Sequence, residues 1–97
     1  VLATAYTWVV ILFDGRPIYS LEVHEVPKGR LIEAAAAYRA AFADQQCALI
    51  SENKSFAKRR IEYVIRAPRK AEQVSLGAAL AEKVPADVRG ELDWQMR

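Results

Sequence analysis

Apolar and polar residues change their spacing several times along this 97-residue chain, and each change marks an element. Val1 to Phe13 carries no charged side chain at all. From Ile18 to Val26 the pattern alternates, with Tyr19, Leu21 and Val23 on one side and Ser20, Glu22 and His24 on the other, which predicts a half-buried strand. Pro27 and Gly29 break it. After Arg30 the apolar positions become Leu31, Ala35, Tyr38 and Phe42, one stripe of an amphipathic helix rich in alanine and ended by Asp44, Gln45 and Gln46. Cys47 to about Phe56 and about Arg60 to Ala67 read as two strands of a hairpin, Ile61, Tyr63 and Ile65 alternating with polar neighbours. Pro68 stops the second, Leu76, Ala79, Leu80 and Val84 mark another helical stripe, and Pro85 ends that one. Val88, Leu92, Trp94 and Met96 then face one way and Arg89, Glu91, Asp93 and Gln95 the other, which predicts a last strand.

Strand, helix, strand, strand, helix, strand is the split βαβ order of an α+β, ferredoxin-like βαββαβ sandwich, a four-stranded antiparallel sheet with two helices on one face. The length suits one core. The inward set is Leu21, Val23, Leu31, Tyr38, Phe42, Leu49, Ile61, Ile65, Leu80, Leu92 and Trp94. A sheet covered on one side leaves its other face open to water or a partner, and its unpaired edges offer a route to a homodimer.

The uncharged leader has two readings. Spanning a bilayer takes about 20 apolar residues, so thirteen amount to the last part of a span, with Tyr6 and Trp8 suited to its interface. That reading makes residues 1–14 the end of a transmembrane helix and 15–97 a cytoplasmic domain. The alternative is an extra strand, because Tyr6 to Phe13 is rich in Val, Ile and aromatics and Asp14-Gly15 suits a hairpin turn. A cleaved signal peptide fits poorly, since the small residues Ala3-Thr4-Ala5 precede the apolar run.

Composition narrows the chemistry. At 53% hydrophobic and 27% charged, the chain is neither disordered nor collagen-like, and a net charge of +2 does not by itself argue for nucleic acid. One cysteine, Cys47, excludes an internal disulfide and reads as a buried hydrophobe. His24, the single histidine, reads as solvated. Glu22, Glu25, Glu62, Glu91 and Asp93 sit at outward strand positions, and no spacing brings them together around a metal. No cofactor is expected.

The turn Pro27-Lys28-Gly29-Arg30-Leu31 after the first strand resembles that of ACT-type regulatory domains, where a Pro-Gly-x-Leu-like turn shapes a small-molecule site; here Lys28 separates proline from glycine. By that resemblance Pro27, Lys28, Gly29 and Arg30 form a candidate ligand turn. Taken whole, the chain resembles the carboxy-terminal end of MgtC/SapB-type bacterial membrane proteins, in which a last transmembrane helix leads into an ACT-like cytosolic domain with a Val-x-x-x-x-Trp-like ending. Val88-Arg89-Gly90-Glu91-Leu92-Asp93-Trp94 carries that likeness here, although Ala48 to Arg66 is as similar to an uncharacterised bacterial multi-pass family. The resemblance implies a regulatory domain beneath the inner membrane, linked to magnesium homeostasis. A free-standing ACT-type sensor is the alternative.

Half of the Lys and Arg residues fall between 54 and 70: Lys54, Lys58, Arg59, Arg60, Arg66, Arg69 and Lys70. On a membrane-facing end they would attract anionic lipid at about 1 kcal/mol each. They are the candidates for lipid or partner contact, against the alternative of a solvated hairpin tip. RNA-recognition motifs share the element order, but Arg59 to Ile65 lacks their glycine and paired aromatics, so nucleic acid is not expected. An acylphosphatase would need a glycine-rich loop after the first strand with a matched Arg and Asn, whereas that turn here is Pro27-Lys28-Gly29-Arg30 and the one asparagine is Asn53. The expected function is therefore non-enzymatic regulation, dimerisation or partner contact.

Overall fold

A computed structural model describes residues 16–68 and 73–96. The six expected elements form, and a seventh is added. Strand β1 is Ile18–His24, helix α1 Leu31–Asp44, strand β2 Ala48–Ser55, strand β3 Arg60–Arg66, helix α2 Gln73–Lys83, the single-turn helix α3 Ala86–Arg89, and strand β4 Glu91–Met96. The strands lie in the order β2-β3-β1-β4 with every neighbouring pair antiparallel. This is the ferredoxin-like α+β fold. β3 is inserted between the two strands that α1 connects.

The core is built where cover is complete. The central strands β1 and β3 alternate strictly, burying Tyr19, Leu21 and Val23 from one and Ile61, Tyr63 and Ile65 from the other. Against them α1 sets Leu31, Ala34, Ala35, Tyr38, Ala41 and Phe42. Its alanines bring the helix close to the sheet, while Tyr38 and Phe42 fill the layer. Phe42 meets Tyr63 edge to face with ring centroids 5.0 Å apart, and Tyr38 lies 5.9 Å from Tyr63. Such pairs add about 0.5–1.5 kcal/mol beyond the area they bury. Leu76, Leu80, Val84 and Val88 close the far side.

Three expectations need correction. The first strand stops at His24, short of Val26, because Glu25 takes a left-handed φ of 53°. Continued alternation would have turned Glu25 inward with Val23; the twist instead leaves Glu25 exposed and sends Val26 into the core. Val88 is buried, yet it belongs to α3 and not to the last strand. Pro85 starts that turn, and Gly90, at φ 67° and ψ −161°, redirects the chain into β4. Leu49 is 39% exposed and outside the core, because β2 is an edge strand that the helices cover incompletely. Leu92 and Trp94 are half-buried against the core, and Trp94 stands edge to face on Tyr19 at 5.9 Å.

Val1 to Phe13, expected as the end of a membrane helix or as a strand, lies outside the described residues, as do Arg69 and Lys70. No described helix is long and apolar enough to cross a membrane.

Candidate functional site

The ligand turn and the basic hairpin tip, distant in sequence, share one end of the sheet. The Val26 amide donates to the Arg59 carbonyl at 3.0 Å and joins them. Gly29 supplies the turn's left-handed φ of 78°. Arg30 is committed to the fold: its guanidinium donates to both carboxylate oxygens of Glu33, at 2.9 and 2.7 Å, and to Asp87 at 2.9 Å. Both carboxyls are held below their usual range by those bonds. Lys28, Lys58 and Arg59 remain as exposed charge at this end, whereas Arg60 pairs with Glu62 at 2.8 Å and Lys54 approaches Glu52 at 3.4 Å. Arg66 ends β3, about 20 Å from Arg60 at the rise of a strand. Among the described residues, the basic cluster therefore divides between opposite ends of the sheet.

On the open face, strand register assembles a row of acids. Glu22 lies directly opposite Glu62 on β3 and opposite Asp93 on β4. Like charges so placed repel. Arg60 neutralises Glu62, and the His24 imidazole lies 3.0 Å from Glu22. Donor atoms of Glu22, His24 and Asp93 all fall within 4.8 Å of one another, a set of one nitrogen and two oxygens able to close on a divalent cation. His24 thus pairs with Glu22 while remaining about a third exposed, and strand register brings Glu22 and Asp93 together, an adjacency their spacing along the chain does not show. A shallow, polar depression of about 340 Å³ lies beside them, lined by Ser20, Ser51 and Gln95 among others.

The third feature is β2. None of its side chains is fully buried. It is held by its ladder to β3 and by Arg39 of α1, whose Nη1 donates to both oxygens of Glu52 at 3.0 and 2.9 Å. Burial pushes the Glu52 carboxyl up, but the Tyr63 hydroxyl, Arg39 and Lys54 outweigh it and hold it below the usual range. An irregularity between Leu49 and Ser51 places Ile50 as an extra residue against β3. Ile50 is 51% exposed and Phe56, just past the strand, 61%; with Leu49 and Ile32 they are the exposed large hydrophobics among the described residues. Three of those four lie along one edge. The opposite edge, β4, exposes Glu91, Asp93 and Gln95, the polar covering that discourages pairing. Cys47 is buried, and burial pushes its thiol up, so it fills space.

No family model matches the sequence, and no curated protein is significantly similar to it. Among solved structures, the fold is similar to the P2 domain of the chemotaxis kinase CheA from the thermophile Thermotoga maritima, in complex with the response regulator CheY. The TM-score is 0.63 at 15% identity, covering 86% of this chain and 100% of that one. A formyltetrahydrofolate deformylase from Pseudomonas putida KT2440 matches at TM-score 0.48 and 9% identity, over 84% of this chain and 28% of that one, too low a score to carry argument. The class defined by fold and likeness is a small ferredoxin-like α+β domain.

Proposed function

We propose that this domain is a non-catalytic interaction module that engages protein along its β2 edge. The observation that carries the reading is that β2 is an open edge strand with no fully buried side chain, with exposed Leu49 and Ile50 at one end and exposed Phe56 just past the other. Exposed apolar residues scattered singly need no explanation, but apolar side chains at both ends of an unpaired sheet edge suit the docking of a partner strand. The CheA P2 domain, in complex with a response regulator, supports docking as a use of this scaffold. The test is a photo-crosslinking residue placed in cells at position 50, with position 95 on the β4 edge as control. Adducts to protein are expected from the first and not the second. Equal yields, or none from position 50, would end the reading.

The finer placement, a regulatory domain under a bacterial inner membrane of the MgtC kind, is supported by the uncharged Val1 to Phe13 and by exposed Lys28, Lys58 and Arg59 at one end. It requires the natural gene product to stay with membranes through salt and alkaline washes and to be released by detergent. Release by salt alone defeats it.

A further inference from the structure

Read outward from Asn53, the β2 edge is chemically self-complementary. The segment is Leu49-Ile50-Ser51-Glu52-Asn53-Lys54-Ser55-Phe56-Ala57. Glu52 is matched by Lys54, Ser51 by Ser55, Ile50 by Phe56 and Leu49 by Ala57. We infer that the occupant of this edge is a second copy of the same chain, paired antiparallel about a two-fold axis at Asn53. The inference rests on the reading of β2 as the docking edge and names what fills it.

A two-fold pairing of antiparallel strands sets each residue opposite the one equally far beyond the axis. About Asn53, each Glu52 then faces Lys54 of the second copy, and each Ile50 faces Phe56. Charge selects this register. Moving the axis to Glu52 opposes two carboxylates, and moving it to Lys54 opposes two ammonium groups, both unfavourable when directly across a ladder. The faces agree as well. Ser51, Asn53 and Ser55 pair with Val64, Glu62 and Arg60 on the open face, while Glu52 and Lys54 pair with Tyr63 and Ile61 on the helix side. Two copies would thus extend one sheet with both helix layers on the same side.

The surroundings leave room for it. Arg39 reaches over to Glu52, so its neighbours on α1 lie toward this edge; Ala36, Ala40 and Ala43 there are exposed and small. The irregularity at Ile50 lies at the outer end of the paired segment, where side chains and not backbone bonds make the contact. Ile50 and Phe56 are each more than half exposed and serve no core role, so changing them leaves the fold intact.

The test is complementation, read by sedimentation equilibrium of the 97-residue chain. Wild type is expected at twice its mass of 10.9 kDa. Ile50→Lys and Phe56→Glu should each sediment as monomer, with circular dichroism melts like wild type. Mixed in equal amounts, they should form a heterodimer, because one contact pairs the new ammonium with the new carboxylate while the other keeps Ile50 against Phe56. Lys54→Glu, which opposes carboxylates at both contacts, should also be monomeric. A monomeric wild type, a dimeric single variant, or a mixture that stays monomeric overturns the self-pairing. If wild type is monomeric while position 50 still crosslinks to a different protein, self-pairing fails and the docking edge survives; if neither is seen, both fail.

Discussion

Gly90 shows how much one residue can decide. At φ 67° it takes a backbone conformation that side chains resist, and a Cβ added there would lie 2.4 Å from the His24 carbonyl oxygen and 3.2 Å from Cγ1 of Val23. The clash is with the backbone of β1, which cannot move aside without breaking its pairing to β4. Gly29 has a similar φ of 78° but no atom within 4 Å of the position a Cβ would take. Comparison of the two separates torsional strain from collision. Gly29→Ala should cost about 1 kcal/mol, the penalty of a left-handed residue. Gly90→Ala should cost about 3 kcal/mol, strain and displacement together, or prevent folding. Urea melts of both variants decide it, and equal losses would refute the collision argument.

At the scale of elements, the sequence was legible wherever burial on one side enforced a period. β1 and β3 alternate because helices cover one face completely, and α1 keeps its stripe because that stripe is the cover. The pattern blurred where that rule lapsed. Leu49 looked like a core residue since alternation predicts a face but not whether anything lies over it, and β2 is an edge. Val88 stands four before Leu92, a spacing that suits a strand face and a helical turn equally, so α3 was hidden inside the last strand. Glu25 disguised the end of β1, because nothing in a glutamate announces a left-handed φ. The same reasoning explains the sites. Glu22, Glu62 and Asp93 were legible as polar strand positions, but their adjacency is a property of strand order and register, which alternation does not encode. Arg39 and Glu52, 13 residues apart, meet only because α1 lies along β2. The symmetry of residues 49 to 57 was present in the sequence throughout. It acquires meaning only on an open edge.

For the molecule as a whole, two of the buried tyrosines, Tyr38 and Tyr63, tie folding to alkaline pH. The Tyr38 hydroxyl donates to the Arg89 carbonyl, holding α1 to α3. The Tyr63 hydroxyl lies 3.4 Å from the Ala35 carbonyl and beside the Glu52 carboxylate, the stronger acceptor because it is charged. Burial pushes both phenols well above their ordinary range, and for Tyr63 the hydrogen bond and charge of Glu52 add to it. In the unfolded chain each titrates near its ordinary value of about 10. Below that pH both states keep the protons, and this contribution to stability is fully present. Above it the unfolded chain releases protons that the folded chain retains, so stability falls with rising pH, by up to about 1.4 kcal/mol per unit for each tyrosine. Two such groups acting on a total of about 5–15 kcal/mol bring the domain near unfolding within a few pH units. Urea melts should therefore give a level stability up to about pH 10 and a decline above it. Tyr63→Phe, which leaves Tyr38 as the remaining buried phenol of the pair, should lose some stability at neutral pH and show about half the alkaline slope. Tyrosinate absorbance should rise together with the loss of circular dichroism, since the buried hydroxyls ionise only as the core opens. A wild-type stability that stays level through pH 12, or an unchanged slope in the Tyr63 variant, would show that these hydroxyls do not govern the alkaline limit.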